Sequence, residues 1–207
     1  MSADTARALL LTSAFRMPSV QTMVSRKSSI TNAFVNSLIP IIPPTKEEIH
    51  EALAILGMDA DRVRCAYCGD RSTEWDHLRP LVVNRRPTGY ISEIGNLVPS
   101  CGKCNQSKGN KNWLVWMQSS AQWCPKSRSV PDLEKRIERL KAYEAWKDIH
   151  PIDFEAIVDK DLWVDYWKNY DQLVEALKAS QRLANKVRTE IAEAHTKLKQ
   201  RSPESAP

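Results

Sequence analysis

The chain has 207 residues, a formal net charge of +5 and an isoelectric point near 9.0, which suit a polyanionic partner without establishing one. Its length is enough for one medium domain or a small domain with flanking segments, and its ordinary composition predicts a soluble globular protein. No apolar run approaches the roughly 18 residues of a membrane span, so we expect no membrane partner.

Residues 1–44 form a basic N-terminal extension. They are rich in Ser, Thr and apolar residues, and no acidic side chain follows Asp4 within the segment. We interpret them as a DNA-contacting arm or a helical extension, although a transit peptide has a similar composition. Ala8-Leu9-Leu10-Leu11 is too short for a secretory signal. Prolines near residue 44 end the segment.

A short helix is predicted next. Thr45-Lys46-Glu47-Glu48 matches a capping box, in which a side chain and a backbone amide satisfy each other at the helix start. Gly57 is placed to end the helix. Its expected apolar face consists of Ile49, Leu53 and Leu56.

Four of the five cysteines form two C-x-x-C pairs. In a chain without a secretion signal such pairs indicate metal ligands rather than disulfides, which also fits a cytoplasmic location. Four thiolates form a closed tetrahedral Zn²⁺ site, so we expect one structural zinc per chain contributing on the order of 10 kcal/mol to folding. The expected ligands are Cys65, Cys68, Cys101 and Cys104. Cys124 is expected to be a bystander in a core.

Asp76 and His77 place a carboxylate beside an imidazole. Neighbouring side chains of a strand point to opposite faces, so both serve one site only where the strand ends or where a metal lies at its edge. An isolated Asp-His pair is a weak signal, and its meaning depends on the residues around it.

The C-terminal third is predicted to be helical. Pro125 and Pro131 bracket a linker, and an apolar face indicates a helix from 131 to about Ile149, where His150-Pro151 ends it. A longer helix is predicted from near Asp161, with a sustained heptad. Its apolar positions are Trp163, Tyr166, Tyr170, Leu173, Leu177, Ala184, Val187, Ile191, Ala194 and Leu198. Either it dimerises as a coiled coil or it forms a hairpin with residues 131–149.

Residues 62–112 carry an ordered set of motifs that resembles the HNH endonucleases, also called ββα-metal or His-Me finger nucleases. The matching stretches are Cys65-Ala66-Tyr67-Cys68-Gly69, Asp76-His77 with Pro80, Asn96-Leu97-Val98-Pro99-Ser100-Cys101, and Cys104-Asn105-Gln106-Ser107-Lys108-Gly109. The resemblance covers a quarter of the chain. It implies a strand–loop–strand–helix core, and so a mainly helical α+β protein with a small ββα-metal core, stapled by the Cys₄ zinc site and flanked by helices.

The resemblance also implies a site. His77 takes the first family position, Asn96 the middle one and Asn105 the last, which is often His in the family. We expect neutral His77 to be the general base, and Asp76 and Asn105 to hold one Mg²⁺ or Mn²⁺ ion. Asn96 would fix the loop that orients His77. The implied products carry 5′-phosphate and 3′-hydroxyl ends.

Basic residues near the motif are candidates for phosphate contacts. Residues 62–112 hold nine Lys and Arg against four Asp and Glu, an excess that suits a phosphate-tracking surface. The candidates are Lys108, Arg79, Arg85 and Arg86, with a turn expected at Pro87-Thr88-Gly89. We expect the tryptophans to be mostly core residues, with Trp75 packed under the hairpin and Trp113 and Trp116 covering the helix.

The sequence therefore predicts a metal-dependent HNH endonuclease acting on double-stranded DNA, encoded by a bacterium or a phage. A restriction or defence role and a phage or mobile-element role fit equally well. The alternatives are an RNA-directed nuclease and a non-catalytic zinc-stabilised module that binds nucleic acid. We predict an extension over 1–44, the nuclease domain over 45–124, a helical region over 125–201 and a tail over 202–207.

Overall fold

The computed structural model describes residues 17–201, so residues 1–16 of the predicted extension and the predicted tail at 202–207 lie outside the described residues. The described residues divide into two compact units, one of Ser29–Tyr170 and one of residues 17–28 with residues 171–201. The predicted domain boundaries near residues 44 and 124 stay predictions. The class is confirmed as α+β and mainly helical.

Seven α-helices and four short strands make up the described residues. The helices are α1 (Lys27–Asn36), α2 (Lys46–Leu56), α3 (Gly102–Lys108), α4 (Trp113–Met117), α5 (Leu133–Trp146), α6 (Phe154–Ile157) and α7 (Lys160–Arg201). The strands are β1 (Glu74–His77), β2 (Val82–Val83), β3 (Arg86–Pro87) and β4 (Leu97–Ser100). Single 3₁₀ turns span Met23–Arg26 and Ile94–Asn96.

The ends of α2 agree with the sequence prediction. Thr45 and Glu48 form the capping box, and Gly57 ends the helix in the left-handed conformation with φ of 66°. The buried face differs, because Ala52 and Leu56 are buried whereas Ile49 is exposed. Helix α5 packs against α2, and the hydroxyl of Tyr143 donates to the carbonyl of Leu97 at 2.8 Å. Helix α5 thereby supports the start of β4.

The two sheets are two-stranded and antiparallel. In the first, β1 pairs with β4, and Glu74, Trp75, Asp76 and His77 lie opposite Ser100, Pro99, Val98 and Leu97 respectively. In the second, β2 and β3 are joined by Asn84 and Arg85, whose φ angles of 50° and 66° make the two-residue turn typical of hairpins. The Asn84–Arg85 turn was not predicted, whereas the chain also bends at Gly89 of the predicted Pro87–Gly89 turn, where φ is 92°.

The core of the larger unit surrounds the β1–β4 sheet and α3. Trp113 and Trp116 are buried as predicted, and the ring of Trp116 meets Tyr67 edge-on at 5.2 Å. Cys124 is also buried, and its thiol donates to the carbonyl of Ser119 at 3.1 Å. Trp75 was predicted wrongly, because it is 60% exposed. Within residues 17–201 no further layer covers its indole, so Trp75 does not occupy a core position.

Helix α7 begins one residue before its predicted start. Its first turns pack on α1, where the hydroxyls of Thr31 and Tyr170 lie 2.8 Å apart. Of the predicted heptad, Tyr170 is buried but Leu173 is 42% exposed, and Val174 is buried in its place. In the smaller unit, the backbone amide of Met23 donates to Gln181 Oε1 at 2.6 Å.

Candidate active site and metal centre

The two C-x-x-C pairs come together in one buried cluster. The sulfur atoms of Cys65, Cys68, Cys101 and Cys104 all lie within 4.8 Å of one another, and those of Cys68 and Cys101 are 3.6 Å apart. Sulfur atoms bound tetrahedrally at about 2.3 Å would be separated by about 3.8 Å. The cluster therefore has the donor set and the spacing of a four-thiolate metal site.

Local backbone geometry builds each half of the cluster. The carbonyl of Cys65 accepts from the amide of Gly69 at 2.8 Å, and Gly69 has φ of 79°, which a side chain would strain. The second pair lies at the start of α3, with Cys101 just before the helix and Cys104 in its first turn. The amide of Ala66 donates to Pro99 at 2.8 Å, so the first knuckle is also bound to β4.

Arg128 contacts the cluster from the linker before α5. Its Nη1 lies 3.4 Å from the sulfur of Cys104, and its Nη2 is 3.1 Å from Asp70 Oδ2. Four thiolates around a divalent ion carry a net charge of −2, which a nearby guanidinium offsets. The sequence analysis missed this residue, since no local spacing connects it with the cysteines.

The β1–β4 sheet and α3 form the strand–loop–strand–helix core that the resemblance implied. Successive side chains of β1 alternate between the two faces of the sheet. Glu74 and Asp76 point toward α3, as their contacts with Asn105 and Lys108 show. Trp75 and His77 occupy the opposite face. Strand β1 ends at His77, which is the condition set above for a site that uses both Asp76 and His77.

Asp76 is buried in a network of hydrogen bonds. Its Oδ2 accepts from the hydroxyl of Tyr67 at 2.6 Å and lies 3.1 Å from the Nζ of Lys108. Burial raises the pKa of Asp76, while Lys108 and Tyr67 act to lower it. Tyr67 is a second residue that the sequence analysis did not assign to the site.

Lys108 does not reach outward as predicted. Its side chain is fully buried, and its ammonium donates to Asp76 Oδ1 at 3.3 Å, to the carbonyl of His77 at 2.7 Å and to that of Gly109 at 3.3 Å. Burial lowers its pKa, and Asp76 opposes that shift. A fully buried ammonium cannot contact a phosphate, so the predicted phosphate contact is wrong for this structure.

Asn105 lies one turn before Lys108 on α3. Its Nδ2 donates to Glu74 Oε2 at 2.7 Å. A carboxylate only accepts hydrogen bonds, so the amide nitrogen must face Glu74 and Oδ1 lies on the other side of the carboxamide. Gly102 makes room for this contact, since a Cβ there would lie 2.8 Å from Glu74 Oε1. The alternation of β1 could have identified Glu74 as a partner of the Asp76 face.

His77 is half-buried at the end of β1. Its Nε2 lies 2.9 Å from the hydroxyl of Ser92. Burial, and secondly the charge of Lys108, lower the pKa of His77 to about 4. The imidazole is therefore neutral at physiological pH, the form that accepts a proton.

Asn96 holds the segment that follows His77. It is fully buried, its Oδ1 accepts from the amide of Arg79 at 2.8 Å, and its Nδ2 donates to the carbonyls of Arg79 and Ile91, each at 3.2 Å. The amide of Leu78 donates to the carbonyl of Asn96 at 2.8 Å. Both the side chain and the backbone of Asn96 thus fix the residues next to His77.

The three predicted phosphate-contacting arginines have different surroundings. Arg79 binds the carbonyl of Glu144 at 2.9 Å and its side chain is only 15% exposed, so it fastens the loop to α5. The guanidinium of Arg86 lies 4.3 Å from the ring of Trp167, a cation–π contact. Arg85 is exposed at the tip of the β2–β3 turn. The structure thus places Arg79 in a structural role.

The HNH endonuclease family model matches residues 65–111, which contain the cysteine cluster, β1, β4 and α3. These residues are an HNH endonuclease domain. The chain is also similar to a CRISPR-associated endonuclease Cas9 of Corynebacterium diphtheriae, with 26% identity over 136 residues. That alignment covers 63% of this chain and 12% of the relative. No solved structure matches the chain. Within residues 17–201, no helix has the length and apolar character to cross a membrane.

Proposed function

We propose that the chain is a metal-dependent HNH endonuclease that hydrolyses phosphodiester bonds of DNA, with His77 as the general base. The observation that carries this proposal is the position of neutral His77 at the end of β1, beside a carboxylate of the same strand that faces α3. The match of this segment to a nuclease family supports the same conclusion.

His77 would take a proton from the attacking water. The water oxygen forms a bond to phosphorus while the bond from phosphorus to the 3′ oxygen breaks, which yields 5′-phosphate and 3′-hydroxyl ends. A phosphodiester anion beside the imidazole favours its protonated form, so bound substrate would raise the basicity of His77. Ser92 holds the ring through Nε2. Asn96 is a positioning residue, since it touches the loop and not the substrate.

Asp76 and Asn105 suit a hard divalent cation. They supply a carboxylate and an amide oxygen, the donors that Mg²⁺ and Mn²⁺ prefer. The Lys108 ammonium contacts both carboxylate oxygens of Asp76, so Mg²⁺ would displace it from at least one of them. When bound, Mg²⁺ would offset negative charge at the phosphate and the leaving oxygen. Glu74 would orient the Asn105 carboxamide for this role.

The cysteine cluster would hold a structural zinc. Four buried thiols leave no place for a substrate or water on the ion, so we assign this metal to folding and not to the reaction. Cys104 and Asn105 are consecutive residues of α3, and the zinc would therefore fix the helix that presents the amide oxygen to the second metal.

The proposed substrate is double-stranded DNA, and Arg85 and Arg86 are the exposed candidates among the predicted arginines for a phosphate contact. Exposed apolar side chains on α7 support a homodimer, which would present two sites for cutting both strands. A restriction or defence nuclease and a phage or mobile-element nuclease both fit these features. Either would act in a bacterial cytoplasm.

Plasmid cleavage tests the proposal. Purified wild-type protein should nick or linearise supercoiled plasmid with Mg²⁺, and EDTA should stop the reaction. His77→Ala should lose at least about a hundredfold in rate, as expected for removal of a general base. His150→Ala is the matched control, because His150 is exposed and its Nε2 lies 2.9 Å from Asp148 Oδ1. Cleavage by His77→Ala at the wild-type rate would refute the assignment. Cleavage rates of an RNA substrate, measured under the same conditions, would show whether the protein prefers DNA or RNA.

A further inference from the structure

Trp75 lies beside the proposed catalytic pair and has no role in the chemistry above. Its indole is 60% exposed, whereas Trp113 and Trp116 of the same unit are buried. It occupies the face of β1 that carries His77, two residues earlier, and lies opposite Pro99 of β4. An exposed aromatic ring with one face on a rigid strand is the usual platform for stacking a nucleobase.

An apolar groove of about 430 Å³ begins at Trp75. Its lining includes Leu97 and Pro99 of β4, the segment 41–44 and Ile49 of α2. Ile41 is 77% exposed and Ile42 50% exposed, so the groove is open to solvent. Almost every exposed atom that lines it is apolar.

The groove extends to the proposed general base. Ser92 lines it, and the hydroxyl of Ser92 lies 2.9 Å from His77 Nε2. The backbone of Ser92 is fixed on both sides, since its carbonyl accepts from Ile42 at 2.8 Å and its amide donates to Pro40 at 3.1 Å. Leu97, which also lines the groove, is the cross-strand partner of His77. The imidazole and the groove therefore share one wall.

We propose that this groove binds an unpaired nucleobase of the strand being cut, stacked on Trp75. The inference rests on the proposed nuclease function and specifies its substrate. Two residues along a strand span about 7 Å, so the bound base belongs to a nucleotide close to the scissile phosphate.

The character of the groove favours a base over a peptide. Stacking requires only a π face, which every base has, and the apolar walls supply no pattern of donors and acceptors to read. An extended peptide would leave its backbone amides and carbonyls without partners there. Because the groove is continuous with His77, the base bound in it would belong to the same DNA molecule that the imidazole contacts.

A base within a continuous duplex is stacked between its neighbours and is out of reach of Trp75. Within double-stranded DNA the groove therefore selects sites whose bases near the cut are unpaired, such as a gap or a bubble. Recognition at the groove would be tolerant of base identity.

Fluorescence of 2-aminopurine in gapped oligonucleotides tests this proposal. Full-length protein is titrated without added Mg²⁺, so that binding is measured without cleavage, with the probe base placed at each position near the gap. We expect quenching at one or two positions. Trp75→Ala should remove that quenching and weaken binding by about 5- to 150-fold, the range measured when stacking aromatics are replaced by alanine. Trp75→Phe should retain most of both signals.

Trp123→Ala is the matched control, because Trp123 is 48% exposed and lies outside the groove. It should bind and quench as wild type, and Trp75→Ala should not alter the weaker binding to a continuous duplex. Wild-type quenching and affinity in a folded Trp75→Ala protein would overturn the proposal. So would loss of self-association in Trp75→Ala with unchanged DNA binding, which would identify the groove as a protein contact. Stacking without any cleavage in Mg²⁺ would instead refute only the nuclease function.

Discussion

The side-chain nitrogen of Asn105 donates to Glu74 Oε2 at 2.7 Å, and this bond determines which end of the carboxamide remains for another ligand. Glu74 lies on the same face of β1 as Asp76, so the strand supplies both the proposed ligand and the residue that orients its partner on α3. Substitution of residues that orient a metal ligand commonly changes metal affinity by 10- to 100-fold.

We expect Glu74→Ala to raise the Mg²⁺ concentration needed for half-maximal cleavage by about tenfold, because Asn105 loses the bond that orients it. Manganese binding measured by electron paramagnetic resonance should weaken in parallel. Glu74→Gln should retain most of the affinity, because its amide oxygen still accepts from Asn105. If the glutamine variant is as impaired as the alanine variant, the charge of Glu74 matters and the positioning role is wrong.

Lys108→Met should destabilise the protein by about 3–5 kcal/mol, since it leaves the buried Asp76 carboxylate without its cation. Added Mg²⁺ should raise the melting temperature of the variant more than that of wild type, because the ion would supply the missing charge. Thermal unfolding with a Mg²⁺ titration measures both effects. Lys103→Met is the control, as Lys103 is exposed on the same helix. A wild-type melting temperature for Lys108→Met would contradict the ion pair.

Lys108 and Asp76 show which features could not be predicted from the sequence. The capping box of α2 and the two C-x-x-C pairs depend on residues a few positions apart, so their outcome could be predicted locally. The burial of Lys108 depends on Asp76, which is 32 positions away, so a motif position typical of a phosphate contact proved to be internal. Long-range packing of this kind leaves no periodic signal in one sequence.

The burial predicted for Trp75 was wrong and the β2–β3 turn was not predicted, for different reasons. An aromatic residue on a strand is usually covered, but in a two-stranded sheet one face can remain open. The turn uses Arg85 at φ of 66°, a conformation that arginine rarely adopts, so the sequence favoured the later proline and glycine. The registers of both sheets were likewise set by contacts that local patterns do not encode.

Cys104→Ala should lose the tightly held zinc, and with it a folding contribution on the order of 10 kcal/mol. Elemental analysis should find about one zinc per wild-type chain and little in the variant, whose cooperative unfolding should disappear. Cys124→Ala is the matched control, because Cys124 is equally buried but lies outside the cluster. Equal zinc content in the two variants would refute the four-cysteine site.

The exposed apolar side chains on α7 predict self-association. Leu183, Val187 and Ile191 are each more than half exposed at four-residue spacing. Ile191→Glu should shift sedimentation equilibrium toward the monomer, because a charge in a helical seam opposes pairing. Val164→Glu, 54% exposed near the start of the same helix, should not. A wild-type protein that sediments as a monomer at micromolar concentration would exclude the homodimer.

Asn96→Ala should lower both stability and turnover. The substitution leaves the amide of Arg79 and two carbonyls without their partners in a fully buried position, at a cost of about 3 kcal/mol or more. The freed loop should misplace His77, so kcat should fall while KM changes little, and single-turnover kinetics at a temperature well below unfolding measure this. Thr88→Ala removes the neighbouring bond to Pro80 at 2.7 Å without touching Asn96, and it should cost stability but not turnover. Both variants lose stability, but only Asn96→Ala frees Arg79, two residues from His77, so unchanged kcat in Asn96→Ala would mean that Asn96 supports only the fold.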